Sequence, residues 1–183
     1  MTRTLAVLLL AMAASSASAG TYIGLGVGNG PATNSDLKFS EDGRSGRLLV
    51  GYRWGHFAVE GLGTGYSLFR GNSGNTYDGT TLGVAAKYSV PIGDKFEGFG
   101  RAGLQRTSLT ASDKASASGA RDYAGSGFLV GGGFEYRFDV GFAGGASVFI
   151  DYTIDHSSGS LAGRPESYGL TERIWTLGVT LSL

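Results

Sequence analysis

The last nine residues, Trp175-Thr176-Leu177-Gly178-Val179-Thr180-Leu181-Ser182-Leu183, alternate without a break. Trp175, Leu177, Val179, Leu181 and Leu183 share one parity, and Thr176, Gly178, Thr180 and Ser182 share the other. Successive side chains of a strand point to opposite faces, so this is a strand with one apolar face. The same split recurs upstream. Leu48, Val50, Tyr52 and Trp54 oppose Arg47, Leu49, Gly51 and Arg53. Leu82, Val84, Ala86, Tyr88 and Val90 oppose Thr81, Gly83, Ala85, Lys87 and Ser89. Phe128, Val130, Phe134, Tyr136 and Phe138 oppose Leu129, Gly131, Gly133, Glu135 and Arg137. Val148, Ile150, Tyr152 and Ile154 oppose Ser147, Phe149, Asp151 and Thr153, and Ile23, Leu25 and Val27 oppose Tyr22, Gly24, Gly26 and Gly28. Two further strands, near 56–68 and 95–108, are blurred by glycine, with Glu60 and Arg101 marking their polar face. The total predicted is eight strands.

The connections fall into two kinds. Gly55-His56, Pro91-Ile92-Gly93-Asp94 and Asp139-Val140-Gly141 are tight, whereas 31–45, 69–79, 110–125 and 155–172 are long and polar. They alternate along the chain, as in an up-and-down meander with hairpin turns at one end and free loops at the other. Closing the meander removes its open edges, so the expected fold is an all-β, eight-stranded antiparallel barrel.

Which face is inside follows from composition. The chain has 183 residues with 33 glycines, more than twice the usual share of about 7%, and 16% charged residues against about 25% in ordinary soluble domains. The polar parity is rich in Gly, Thr and Ser, with lone charges of both signs: Arg47, Arg53, Glu60, Lys87, Arg101, Glu135, Arg137 and Asp151. A water-facing exterior would carry many more lysines and glutamates. The apolar parity instead carries aromatics near strand ends, as membrane interfaces require. The expected object is therefore a transmembrane β-barrel with its apolar residues toward lipid. Eight strands enclose a space that side chains can fill. The expectation is a plugged polar core involving Glu60, Lys87, Arg101, Glu135 and Arg137. A small porin is the alternative, disfavoured by the strand number.

Other classes are excluded by count. Net charge is zero, with 15 basic and 15 acidic residues, so no basic surface recommends nucleic acid. Cysteine is absent, which removes disulfides, thiolate metal sites and a cysteine nucleophile. No cofactor is expected. At the start, Arg3, the apolar run Leu5 to Ala14 and Ala17-Ser18-Ala19 read as an export signal, so residues 1–19 form a signal peptide and 20–183 the mature domain.

Together these features resemble the OmpA/OmpX-type family of small outer-membrane β-barrels. Phe57-Ala58-Val59-Glu60-Gly61 and Gly133-Phe134-Glu135-Tyr136-Arg137-Phe138 are similar to that family's strands. The tail resembles its C-terminal assembly signal through Thr176, Gly178, Leu181 and Leu183, although leucine stands last where the family usually has an aromatic. The resemblance implies the bacterial outer membrane, periplasmic termini and long loops outside. It also implies insertion by the barrel-assembly machinery, and contact with outer-membrane lipids and lipopolysaccharide. The loops are the expected seat of any host or surface ligand. The expected role is structural or surface-interacting and non-enzymatic.

One cluster points elsewhere. His156-Ser157-Ser158 places a histidine two residues before a serine, on one strand face. This is similar to the His-x-Ser pair of the lipid A deacylase family of outer-membrane barrels. That resemblance implies catalysis by His156 and Ser158, with Glu166 or Glu172 orienting the histidine. The family's asparagine after the serine is replaced here by Gly159. Gly98-Phe99-Gly100-Arg101-Ala102-Gly103 fits G-x-G-x-x-G, but alternation continues through it and no helix follows, so the glycines read as strand residues. His56 reads as a turn residue. Asp36, Glu41, Asp42, Asp113 and Asp122 follow no calcium-loop spacing and read as solvated loop acids.

Overall fold

The computed structural model describes residues 20–35, 43–70, 76–111, 122–138, 145–163 and 166–183. The export signal over 1–19, the turn at 139–141 and the loop acids Asp36, Glu41, Asp42 and Asp113 lie outside the described residues. Nine strands are present: β1 Gly20–Asn29, β2 Ala32–Ser35, β3 Arg44–Trp54, β4 Phe57–Arg70, β5 Thr76–Pro91, β6 Phe96–Ala111, β7 Tyr123–Phe138, β8 Ala146–Leu161 and β9 Ser167–Ser182. No helix occurs among the described residues. Neighbours pair antiparallel in chain order from β3 to β9, and β1 pairs with both β3 and β9. The ring closes from Tyr22 opposite Ser182 to Gly28 opposite Thr176.

The short β2 also pairs with β9, from Ala32 opposite Arg173 to Ser35 opposite Leu170. It continues the line of β1 after a break at Gly30-Pro31, so β1 and β2 together make one of eight staves. Proline has no N–H to donate, which interrupts the ladder there. The Trp175 N–H instead donates to Asn29 Oδ1 at 2.7 Å.

The alternation lands as the sequence predicts. Leu104 is 74% exposed and Val27 70%, whereas Glu60 and Asp151 are fully buried. The outer wall is an apolar belt and the lumen holds the charges. On β9 the outward apolar positions from Trp175 to Leu183 cover about 27 Å of strand, roughly the height of a lipid-facing band once tilt is allowed for. Aromatic side chains bound the belt. Phe57 packs on Tyr88 at 4.8 Å near the tight turns, and Tyr152 on Trp175 at 4.7 Å near the opposite end.

The four long connections are shorter than expected, which is a correction. The span 155–172 is strand on both sides, with 155–161 completing β8 and 167–172 opening β9. Beyond the belt neither face has to be apolar, so polar residues serve while the backbone ladder continues to pair N–H with C=O. Polar composition marks where lipid contact ends, not where the strand ends.

The tight turns are local solutions. Gly55 has a φ of 60°, a left-handed conformation that glycine adopts without penalty, and it closes the hairpin from Trp54 to Phe57. Within the lumen, a Cβ on Gly51 would lie 2.3 Å from the Tyr22 ring, so glycine there makes the room that ring occupies.

Candidate functional site

Two features are candidates: the polar lumen and the outer rim around His156. The lumen is built from one inward position on strand after strand. Arg47 Nη1 on β3 lies 3.0 Å from Asp151 Oδ1 on β8. The other Asp151 oxygen lies 3.1 Å from Arg101 Nη2 on β6. Arg101 Nε reaches Glu60 Oε2 on β4 at 3.4 Å, and Lys87 Nζ on β5 reaches Glu60 Oε1 at 3.5 Å. Lys87 Nζ lies 2.9 Å from Glu135 Oε2 on β7. Six residues from six strands thus form one ion-paired line across the barrel.

The remaining staves join through hydroxyls. Tyr22 on β1 donates to Glu60 Oε1 at 2.5 Å, and Ser147 on β8 donates to Glu135 Oε1 at 2.5 Å. Ser147 also hydrogen-bonds Thr180 on β9. Arg47 donates further to Thr64 and Thr153 at 3.1 and 3.0 Å. Phe99 lies beneath the cations, 4.3 Å from Lys87 Nζ and 5.0 Å from the Arg101 guanidinium carbon. These contacts offset the desolvation that makes an isolated buried charge costly. Aromatic and aliphatic side chains close the space on both sides. Tyr22, Leu49, Phe99 and Phe149 pack toward the turns, and Tyr66, Leu109, Tyr123 and Ile174 toward the loops. Midway, the void beside Arg101, Gln105 and Asp155 measures about 10 Å³. A vestibule of about 320 Å³ opens at the turn end, lined by Arg53, Lys87, Glu135 and Arg137.

Of the five lumen residues expected from sequence, Glu60, Lys87, Arg101 and Glu135 join the line. Arg137 stands apart, at 2.8 Å from Glu97 Oε2, which Arg53 also holds at 2.8 Å. Arg47 and Asp151 were legible as inward charges but not as members of the line. Glu97 was missed, although the inward parity of Phe99 and Arg101 on the same strand would have found it.

The rim around His156 is assembled differently from the sequence expectation. His156 and Ser158 lie on β8 with outward parity, at the loop-end edge of the belt. His156 Nδ1 is 2.9 Å from Thr171 Oγ1, and its ring lies 5.2 Å from Phe128. Glu172 corrects the expectation of an orienting acid. It is 1% exposed, faces the lumen and hydrogen-bonds Tyr66 at 3.2 Å, so the strand wall separates it from His156. A one-residue step along a strand always reverses the face. Glu166 accepts from the Tyr168 hydroxyl at 2.6 Å. Thr171, not a carboxylate, holds the histidine.

His56 sits in the tight turn with its ring 6.1 Å from Tyr88. Gly98 to Gly103 is ordinary β6, with Phe99 and Arg101 inward. The tail residues Thr176, Gly178 and Leu181 lie in β9, and Leu183 follows it at the turn end.

Comparison with known proteins agrees with this architecture. A family model described as the outer membrane protein beta-barrel domain matches residues 3–182. A search of curated proteins found no match. Among solved structures, Neisserial surface protein A aligns with a TM-score of 0.62 at 15% identity, over 91% of this chain and 99% of that one. Ail, the attachment invasion locus protein of Yersinia pestis, solved with the heparin analogue sucrose octasulfate, aligns with 0.59 at 14% identity over 91% and 99%. The N-terminal barrel of Pseudomonas aeruginosa OprF gives 0.50 at 13% identity over 91% and 100%. At these identities the likeness is one of fold.

Proposed function

Because this chain belongs to the outer membrane protein beta-barrel domain family, we propose that it is a closed, non-enzymatic barrel of the bacterial outer membrane that supports the envelope or presents a surface for interaction. Its action is passive. The apolar belt anchors it in lipid, the salt-linked lumen holds the staves together, and the loop end offers the variable surface. Residues 1–19 direct export and are removed, leaving 20–183 as the mature barrel. Gly20 and Leu183 then face the periplasm, and the loop end faces outward. The tail Thr176, Gly178, Leu181 and Leu183 is read by the barrel-assembly machinery during insertion. The structural relative Ail is described with a bound heparin analogue. A surface ligand at the loop end here is proposed by that analogy.

The observation that carries this reading is the line Arg47–Asp151–Arg101–Glu60–Lys87–Glu135 across the lumen. Ion pairs drawn from opposite walls occupy the lumen, which supports a plugged barrel over the porin reading. The competing lipid A deacylase reading has one favourable feature, since His156 and Ser158 meet the membrane edge. Among the described residues no acid is paired with the histidine, and Thr171 stands there instead. The test is a mass spectrum of lipid A from outer membranes containing the protein, beside those containing Ser158→Ala. Identical lipid A in both is expected. Loss of an acyl chain that Ser158→Ala restores would make this an enzyme.

A further inference from the structure

Two acids in the lumen have no cation of their own. The line across the barrel balances itself, with Arg47, Lys87 and Arg101 against Glu60, Glu135 and Asp151. Asp155 on β8 and Glu172 on β9 stand on the loop side of that line and make no ion pair with any described residue. They lie directly opposite each other in the β8–β9 register. Both face inward, Asp155 3% and Glu172 1% exposed. Two carboxyl groups are thus buried side by side with nothing positive set against them.

The register brings the two side chains within reach. Residues directly opposite on antiparallel strands have Cβ atoms about 5 Å apart. One oxygen on each, Asp155 Oδ1 and Glu172 Oε1, has no hydrogen-bond partner. A proton on either carboxyl supplies a donor that joins those two oxygens and cancels one of the two charges. The surrounding strands bring no counter-charge. From β4, the Tyr66 hydroxyl donates to Glu172 Oε2 at 3.2 Å, and from β5, Thr81 lies 2.8 Å from the same hydroxyl. From β7, the Tyr123 hydroxyl lies 3.1 Å from Ser157 Oγ. Arg47 on β3 and Arg101 on β6 are engaged by Asp151, and Arg101 also by Glu60. Toward the loops, Tyr66, Leu109, Tyr123, Leu170 and Ile174 close the space. Toward the line, the void beside Asp155 is about 10 Å³, room for one water molecule and not for bulk solvent.

We propose that Asp155 and Glu172 act as one acid pair that holds a single proton at neutral pH, and that the barrel is weakened when alkaline pH takes that proton into solvent. The proposal rests on the reading of the chain as a closed, plugged barrel. Two like charges close together in a dry site are costly, so the second carboxyl ionises late and the pair titrates as a unit. The pair lies outside the apolar span. It stands three residues loopward of the stacked Tyr152 and Trp175 rings, roughly 10 Å along each strand. Burial pushes Asp155 up to about 6, with Arg47 opposing it, and Glu172 up to about 8, with Asp155 adding to it. A carboxyl raised in the folded state gives stability that is complete below its unfolded value of about 4 and is lost as pH rises through the folded value. The loss therefore runs from about 6 to beyond about 8 on the pH scale.

The test is urea unfolding of the refolded barrel in lipid vesicles across this pH range, followed by tryptophan fluorescence. From about pH 5 to about pH 9 the wild-type unfolding constant should rise at least about tenfold. Glu172→Gln keeps a donor toward Asp155 and an acceptor for Tyr66 but has no proton to lose, so most of that rise should vanish. Infrared spectra supply a readout that needs neither unfolding nor a variant. At about pH 7 the wild type should show the carbonyl band of a protonated carboxyl, fading by about pH 9 and missing in Glu172→Gln. A wild-type unfolding constant that does not rise with pH, an equal rise in Glu172→Gln, or wild-type spectra without a protonated carboxyl at neutral pH would each overturn the proposal. A heat-shifted gel band shows that each sample is a folded barrel. Its absence in the wild type would overturn the barrel reading and the proposal with it, a failure distinct from folded barrels that show no titration.

Discussion

Each strand of this barrel has two faces that solve opposite problems with the same backbone. On β8, Val148, Ile150, Tyr152 and Ile154 meet lipid, and Ser147, Phe149, Asp151 and Thr153 meet the lumen. The outer face works by lacking charge within the belt. The inner face works by holding charges that pair with one another across six strands. The lesson is that burial, not polarity, is common to both faces. Each lumen arginine or lysine stands within 3.5 Å of a carboxylate, and a charge within the belt is not tolerated at all.

The contrast breaks most severely when one lumen partner is removed. Asp151→Ala leaves Arg47 and Arg101 facing each other without their shared carboxylate. It should cost about 3–5 kcal/mol, read as a shift in the urea unfolding midpoint followed by tryptophan fluorescence in lipid vesicles. An unchanged midpoint would mean that water, not ion pairing, fills the lumen. The outer face should yield somewhat less. Val179→Arg, midway along the outward apolar run of β9, should cost about 2–4 kcal/mol in the same assay. Thr180, its neighbour in sequence, faces the lumen, so a hydrophobic Thr180→Val should cost far less than an arginine one residue away.

A gentler probe sharpens the comparison. Tyr22→Phe removes only the hydroxyl that donates to Glu60. Glu60 keeps Lys87 and Arg101, so the loss should be about 1.5–3 kcal/mol, the range for a hydrogen bond to a charged group. A loss equal to that of Asp151→Ala would show that the hydroxyl, not the ion pairs, organises the line. The smallest effect is expected at the rim. Ser158→Ala should leave both stability and lipid A unchanged, since the outward serine supports neither face.

Much of this was legible in the sequence, for a physical reason. Period two assigns every residue to a face, and the face alone tells lipid from lumen. Leu177 and Thr176 needed no coordinates. What could not be read was who meets whom inside. Arg47 and Asp151 are 104 residues apart, and their contact depends on the stagger at which the ring closes. The pairing of Arg137 with Glu97, outside the main line, depends on that stagger too. Strand ends were also hidden. His156 lies within β8 rather than in a loop, because hydrogen bonding continues after the need for apolar side chains has ended. The same misjudgement made Glu172 look available to His156, whereas once both residues are placed on strands their parities put them on opposite sides of the wall.

The central claim is that the lumen is sealed by its own charges. Single-barrel conductance of the refolded wild type in planar bilayers tests it most directly. The account predicts successful insertion without any stable conducting state, and conductance emerging only when Arg101 or Asp151 is truncated. A steady open channel in the wild type would contradict it.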